Sequence, residues 1–61
     1  MLVKTIIDKA NGKKWEIYQE ADNQYYYKYY EYFGKTDWHY TSKSDNNFTK
    51  DAIEWQFDIT I

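Results

Sequence analysis

Polar and apolar positions alternate along most of this chain in steps of two. Leu2 to Asp8 is a short apolar run containing the β-branched residues Val3, Thr5, Ile6 and Ile7, which suit a pleated, half-buried surface, so it predicts a first strand. Asn11-Gly12 follows, a dipeptide that favours a two-residue hairpin because both positions tolerate positive φ. Trp15, Ile17, Gln19 and Ala21 then alternate with Lys14, Glu16, Tyr18 and Glu20. One face is apolar and the other polar, so Leu2–Asp8 and Lys14–Ala21 are expected to pair as a hairpin. Asp22-Asn23 marks the next turn.

The stretch Tyr25 to Phe33 breaks the half-and-half rule. Seven of its nine residues are aromatic, and a strand through it is aromatic on both faces. Tyr25, Tyr27, Tyr29 and Phe33 point one way with Glu31, and Tyr26, Tyr30 and Tyr32 the other way with Lys28. Periodicity does not choose which face turns inward. Gly34-Lys35-Thr36-Asp37 is a third turn. Trp38, Tyr40 and Ser42 alternating with His39, Thr41 and Lys43 predict a fourth strand, and Ser44-Asp45-Asn46-Asn47 a polar surface loop.

The last segment supports two readings. Thr49 is placed to cap a helix start, and Ala52, Ile53, Gln56 and Phe57 form part of a helical stripe. Yet Ile53, Trp55, Phe57, Ile59 and Ile61 are apolar at every odd position, with Glu54, Gln56, Asp58 and Thr60 between them, a period of two. The preferred reading is a short helical turn near residues 48–53 followed by a fifth strand. The fold expected is therefore mainly β: one domain over residues 1–61, an antiparallel meander of four to five strands forming a small sheet or partial barrel. The alternative is a four-stranded sheet with a C-terminal helix, an α+β arrangement. The five-stranded reading buries Trp15, Ile17, Trp38, Tyr40, Trp55, Phe57 and Ile59 on a shared inner face.

Length and composition narrow the chemistry. A chain of 61 residues buries a low fraction of its surface and often needs a disulfide, a metal or a partner to be stable. With no Cys and one His, disulfides, thiolate sites and His-rich zinc sites are excluded, which leaves dense aromatic packing or self-association. Net charge is −2, from eight Lys and ten acidic residues, with no Arg. Arg is the usual fork for phosphates and base edges, so nucleic acid is an unfavoured partner. No stretch reaches transmembrane length, and the N-terminal residues lack a signal-peptide pattern. A location in the cytoplasm of a bacterial host is expected. Lys, Asn, Tyr, Ile and Phe make up close to half the residues, and all have A/T-rich codons, which suggests a low-GC bacterium or one of its phages.

Candidate reactive groups are sparse. His39 has Asp37 two residues away as a possible carboxylate orienter, but its place on the polar side of a strand fits an ordinary surface histidine better. Asp45-Asn46-Asn47 lacks the spaced acids and closing Glu of a calcium loop. Asn47-Phe48-Thr49 matches a glycosylation sequon, without consequence in a chain lacking a secretory pattern. With no nucleophile elbow, phosphate-cradling glycine loop or carboxylate pair in a recognisable frame, the chain reads as non-enzymatic and without a cofactor.

The tyrosines remain. About half fill the core, and one face is expected to be a contact surface, because Tyr brings large area, few rotors and a hydroxyl to an interface. The candidate interface is Tyr26, Lys28, Tyr30 and Tyr32, with Tyr18 and Glu31. Acidic Glu31, Glu20 and Asp22 around it suit mimicry of nucleic-acid charge or contact with a basic partner. In size and composition the whole chain resembles the small accessory proteins of phages and mobile elements of low-GC bacteria, among them inhibitors of host defence systems. The resemblance carries over no site residues. It implies a stoichiometric inhibitor, a homodimer, acting on a host protein. Two other readings stay open. One is a small nucleic-acid binder, since a three-stranded sheet with a helix resembles the arm-type domain of phage integrases and Tyr platforms suit single strands. The other is a nucleotide or sugar binder at a dimer interface.

Overall fold

The computed structural model describes residues 1–33 and 37–61. Four strands, β1 (Leu2–Asp8), β2 (Lys13–Ala21), β3 (Gln24–Phe33) and β4 (Asp37–Lys43), precede one helix, α1 (Lys50–Phe57). The strands form a single open antiparallel sheet in the order β1-β2-β3-β4, so the mainly-β meander expected from the alternation is what forms. The expected third turn lies, but for Asp37, outside the described residues.

The first hairpin departs from its two-residue expectation. Four residues, Lys9 to Gly12, connect Asp8 to Lys13. Only Gly12 takes a positive φ, 65°, and Asp8 accepts from the backbone N–H and the side-chain amide of Asn11. The carboxylate thus closes the loop as an Asx-type turn. Asp22-Asn23 does make a two-residue connection, with Asn23 at φ 53°.

Residues 53–61 do not form a fifth strand. Thr49 caps α1 by accepting from the N–H of Ala52 at 3.2 Å, and Asn23 Oδ1 accepts from the N–H of Lys50 at 2.8 Å. The helix start is thereby tied to the β2–β3 turn. At 3.6 residues per turn, Ile53 and Phe57 share a stripe while Trp55 turns away; Ile53 is fully buried and Trp55 is 87% exposed. Asp58 ends the helix in the left-handed region at φ 54°. The chain then folds back: the N–H of Ile59 donates to Glu54 O, and that of Ile61 to the Glu54 carboxylate. Ile59 and Ile61 thus reach the core from a return segment. The period of two merged a helical stripe with this tail.

The core lies between the sheet and α1. Ile17, Tyr25 and Ile53 are buried, and Val3, Ile6, Tyr27, Phe48, Phe57, Ile59 and Ile61 pack against them. Rings widen it: Trp15 lies 5.4 Å from Tyr29 and 5.9 Å from Phe57, and Tyr27 meets Phe57 edge-on at 5.2 Å. Of the seven residues assigned to an inner face, Trp15, Ile17, Phe57 and Ile59 belong to this side and Trp38, Tyr40 and Trp55 do not.

Two bulges decide which tyrosines face α1. Ala21 pairs with Gln24, but Gln19 pairs with Tyr25, so Glu20 is an extra residue that shifts the β2–β3 register by one. A one-residue shift exchanges the faces of a strand relative to its neighbour. The apolar side of β2 consequently meets Tyr25, Tyr27 and Tyr29. Thr41 has the same effect in β4: Tyr40 pairs with Tyr30, and Ser42 with Tyr29. Trp38 and Tyr40 therefore stand beside Tyr32 and Tyr30, on the side away from the helix.

Candidate functional site

The side of the sheet away from α1 carries Lys14, Glu16 and Tyr18 from β2, Tyr26, Lys28, Tyr30 and Tyr32 from β3, and Trp38, Tyr40 and Lys43 from β4. Among the described residues no element lies over it. Tyr18 and Tyr26 are cross-strand partners whose rings stack at 5.1 Å with 7° between planes. Tyr30 meets Tyr40 edge-on at 5.8 Å, and Tyr32 meets Trp38 at 5.4 Å. Each pair adds about 0.5–1.5 kcal/mol beyond its buried area, so the rings are braced before any partner arrives.

Lysines fill the spaces between the rings. Lys28 Nζ lies 4.9 Å from the Tyr18 ring centre, Lys43 Nζ 4.5 Å from that of Tyr26, and Lys14 Nζ 4.6 Å from Tyr30 and 5.3 Å from Trp38. Contacts of this kind contribute about 0.5–1 kcal/mol at exposed sites. Lys28 and Lys43 are direct cross-strand partners, an arrangement of like charges that destabilises a sheet. The two ammonium groups sit over different rings, Lys28 over Tyr18 and Lys43 over Tyr26.

Glu16 is the carboxylate among these lysines. Its Oε1 accepts from the hydroxyls of Tyr30 at 2.7 Å and Tyr18 at 2.8 Å, and Lys14 Nζ lies 3.9 Å from Oε2. The Tyr30 hydrogen bond, with that of Tyr18 and the charges of the nearby Lys14 and Lys28, holds its carboxyl pKa below the ordinary value against the opposing effect of burial. Reciprocally, the hydrogen bond to Glu16, with burial, pushes the Tyr30 hydroxyl up to about 12 and raises that of Tyr18. A pocket of about 390 Å³ opens at one end of the face between Lys9, Gly12, Tyr32 and Trp38.

The structure thus brings together Tyr18, Tyr26, Lys28, Tyr30 and Tyr32 of the expected interface. Glu31 is placed elsewhere: it lies on the helix side, opposite His39, and accepts from the Tyr29 hydroxyl at 2.9 Å. Of the expected acidic surround, Glu31 is thus on the other side, and the face itself carries three lysines and one carboxylate. Lys14 and Glu16 were readable as β2 positions alternating with Ile17. Trp38, Tyr40 and Lys43 were not, because the Thr41 bulge sets their side.

His39 is exposed on β4. Asp45 lies in an ordinary loop, accepting from the N–H of Asn47 and, through its carbonyl, from the Ser44 hydroxyl. Among the described residues no group of three or more His, Cys, Asp or Glu is placed to hold a metal ion, and no helix is long and apolar enough to cross a membrane. No family model, curated protein or solved structure matches this chain.

Proposed function

We propose that this chain is a non-catalytic protein-binding module that works by occupying an acidic surface of another protein. The observation that carries this reading is the uncovered aromatic face with Lys28 set directly opposite Lys43. A contiguous apolar patch without a covering layer marks an interaction site, and interfaces favour aromatic anchors ringed by polar groups. A like-charge pair on facing strands costs stability in the free chain, and an anionic group of a partner beside Lys28 and Lys43 offsets that repulsion. The face holds three lysines against one carboxylate on a chain of net charge −2, so its charge opposes that of the rest of the molecule. Stacking this face on a second copy would set lysines against lysines, which favours a different protein as the occupant. The resemblance in size and composition to phage and mobile-element accessory proteins extends the reading to a stoichiometric inhibitor of a host protein in the bacterial cytoplasm.

A nucleic acid is the rival occupant. Base stacking needs accessible ring faces, whereas Tyr18, Tyr26 and Tyr30 already have an ammonium over their rings. The test compares wild type with two double variants, Tyr32→Ser/Tyr40→Ser and Lys28→Glu/Lys43→Glu, in capture from host lysate and in mobility shifts with single- and double-stranded DNA and RNA. The expected result is a stoichiometric protein partner retained by wild type and lost by both folded variants, with no mobility shift. A salt-sensitive shift of nucleic acid without a protein partner, or capture unaffected by both variants, overturns the reading.

A further inference from the structure

β1 is an edge strand, and its free edge has a defined phase. The N–H of Gln19 donates to Met1 O, and that of Tyr32 to Gly12 O. Odd-numbered residues of β2 from Lys13 to Gln19 therefore turn their backbone groups toward β1, and even-numbered ones toward β3. Thr5 and Ile7 pair with Glu16 and Lys14, even-numbered positions, so their own N–H and C=O groups point out of the sheet. From Lys4 to Asp8 the β1 register is regular. The opposite edge is interrupted by the Thr41 bulge, a device that blunts edges against pairing.

We propose that β1 pairs antiparallel with β1 of a second copy of this chain, about a twofold axis at Ile6. That register sets Thr5 against Ile7 twice, joining outward backbone groups to outward backbone groups as hydrogen-bonded pairs, with Ile6 against Ile6 between them. It also sets Lys4 directly against Asp8 twice, at the separation where opposite charges on facing strands attract. The neighbouring choices are worse. An axis at Lys4 puts Lys4 against Lys4, and one at Asp8 puts Asp8 against Asp8. An axis at Thr5 or Ile7 places a charge opposite Ile6. An axis between residues sets an outward backbone position against an inward one and makes no ladder. Both charged groups retain capacity for the new contact: among the described residues the Asp8 carboxylate accepts only from Asn11, and Lys4 Nζ makes one long hydrogen bond, 3.4 Å, to Thr60 O. Ile7, 49% exposed in the single chain, gains a cross-strand neighbour.

The product is an eight-stranded sheet with both helices on one side and both aromatic faces on the other. Self-association thus uses the edge and leaves the lysine-bearing face free.

The test is sedimentation velocity over a wide concentration range, with amide hydrogen exchange at Thr5 and Ile7. Thr5→Pro removes an outward-pointing N–H and no bond to β2. It is expected to leave the far-ultraviolet circular dichroism intact and yield a monomer. Lys4→Glu, an exposed change that keeps the strand, is expected to weaken the dimer about tenfold or more and carries the test if the proline variant fails to fold. Wild-type amides of Thr5 and Ile7 should be protected at high concentration and lose protection on dilution. Tyr32→Ser/Tyr40→Ser should keep the dimer mass. The proposal is overturned by a wild-type monomer at every concentration, by a dimer indifferent to Lys4→Glu, or by unprotected Thr5 and Ile7 amides in a dimer.

Discussion

Ile53→Ala tests which side of the sheet is the core. Ile53 is fully buried and is the residue α1 contributes to the three-residue buried cluster with Ile17 and Tyr25. Truncating a buried Ile to Ala costs about 2–5 kcal/mol, through lost transfer energy and the cavity left behind. A natural domain of this length has roughly 3–9 kcal/mol of stability, so this one change removes between about a fifth and all of it. The comparison is Tyr40→Ser on the opposite side. Tyr40 is 57% exposed and has one ring partner, Tyr30, so losing it should cost about 0.5–1.5 kcal/mol. Urea denaturation followed by tryptophan fluorescence and circular dichroism gives both values. Ile53→Ala should move the midpoint far more than Tyr40→Ser, or leave the chain unfolded without denaturant. Equal costs, or the reverse order, would mean that the helix does not pack on the Ile17 side and that the two faces are exchanged.

The Glu16 hub gives a pH signature. A Tyr30 hydroxyl held at about 12 in the folded chain, against the ordinary value near 10, contributes stability that is complete below pH 10 and is lost as pH rises through the folded value. Denaturation midpoints should fall between pH 10 and about 12, and Tyr30→Phe should flatten that slope; an unchanged slope would show that the hydrogen bond to Glu16 does not hold the proton. Thr49→Ala removes the side chain that accepts from Ala52 N–H and should cost about 1 kcal/mol, while Thr49→Ser should cost little. Equal losses for the two would show that the cap hydroxyl contributes nothing.

The alternation of Leu2–Asp8 and Lys14–Ala21 and the turn chemistry of Asp22-Asn23 were enough to place the first three strands, because short-range hydrophobic contrast sets both. Two things were hidden. The first is the phase of the tyrosine strand: it depends on Glu20 and Thr41 sitting as unpaired extra residues, and nothing in their side chains announces that. Without those bulges Tyr18 would face Tyr27 and not Tyr26, and the polar side of β2 would meet the other set of rings. The second is α1. Its stripe of Ile53 and Phe57 adjoins Trp55, Ile59 and Ile61 in a run that mimics strand alternation, and only the capping Thr49 and the left-handed Asp58 separate helix from tail. The lysine content of the candidate face was legible in part, from Lys14 and Lys28, and obscured for Lys43 by the same bulge.

The position of α1 after all four strands also bears on how the chain matures. Each pairing within the sheet joins consecutive strands, so the meander closes only short loops, which favours fast formation. The cover over Ile17 and Tyr25 comes from residues 48–61, and until they dock, the apolar side of the sheet is open as well as the aromatic one. A ribosome-bound chain that has exposed only the strands is therefore an adhesive intermediate, of the kind chaperones hold. The hydrogen bond from Lys50 N–H to Asn23 Oδ1 fastens the helix start to a turn made much earlier, so the step that hides the core is also the step that ends this vulnerability.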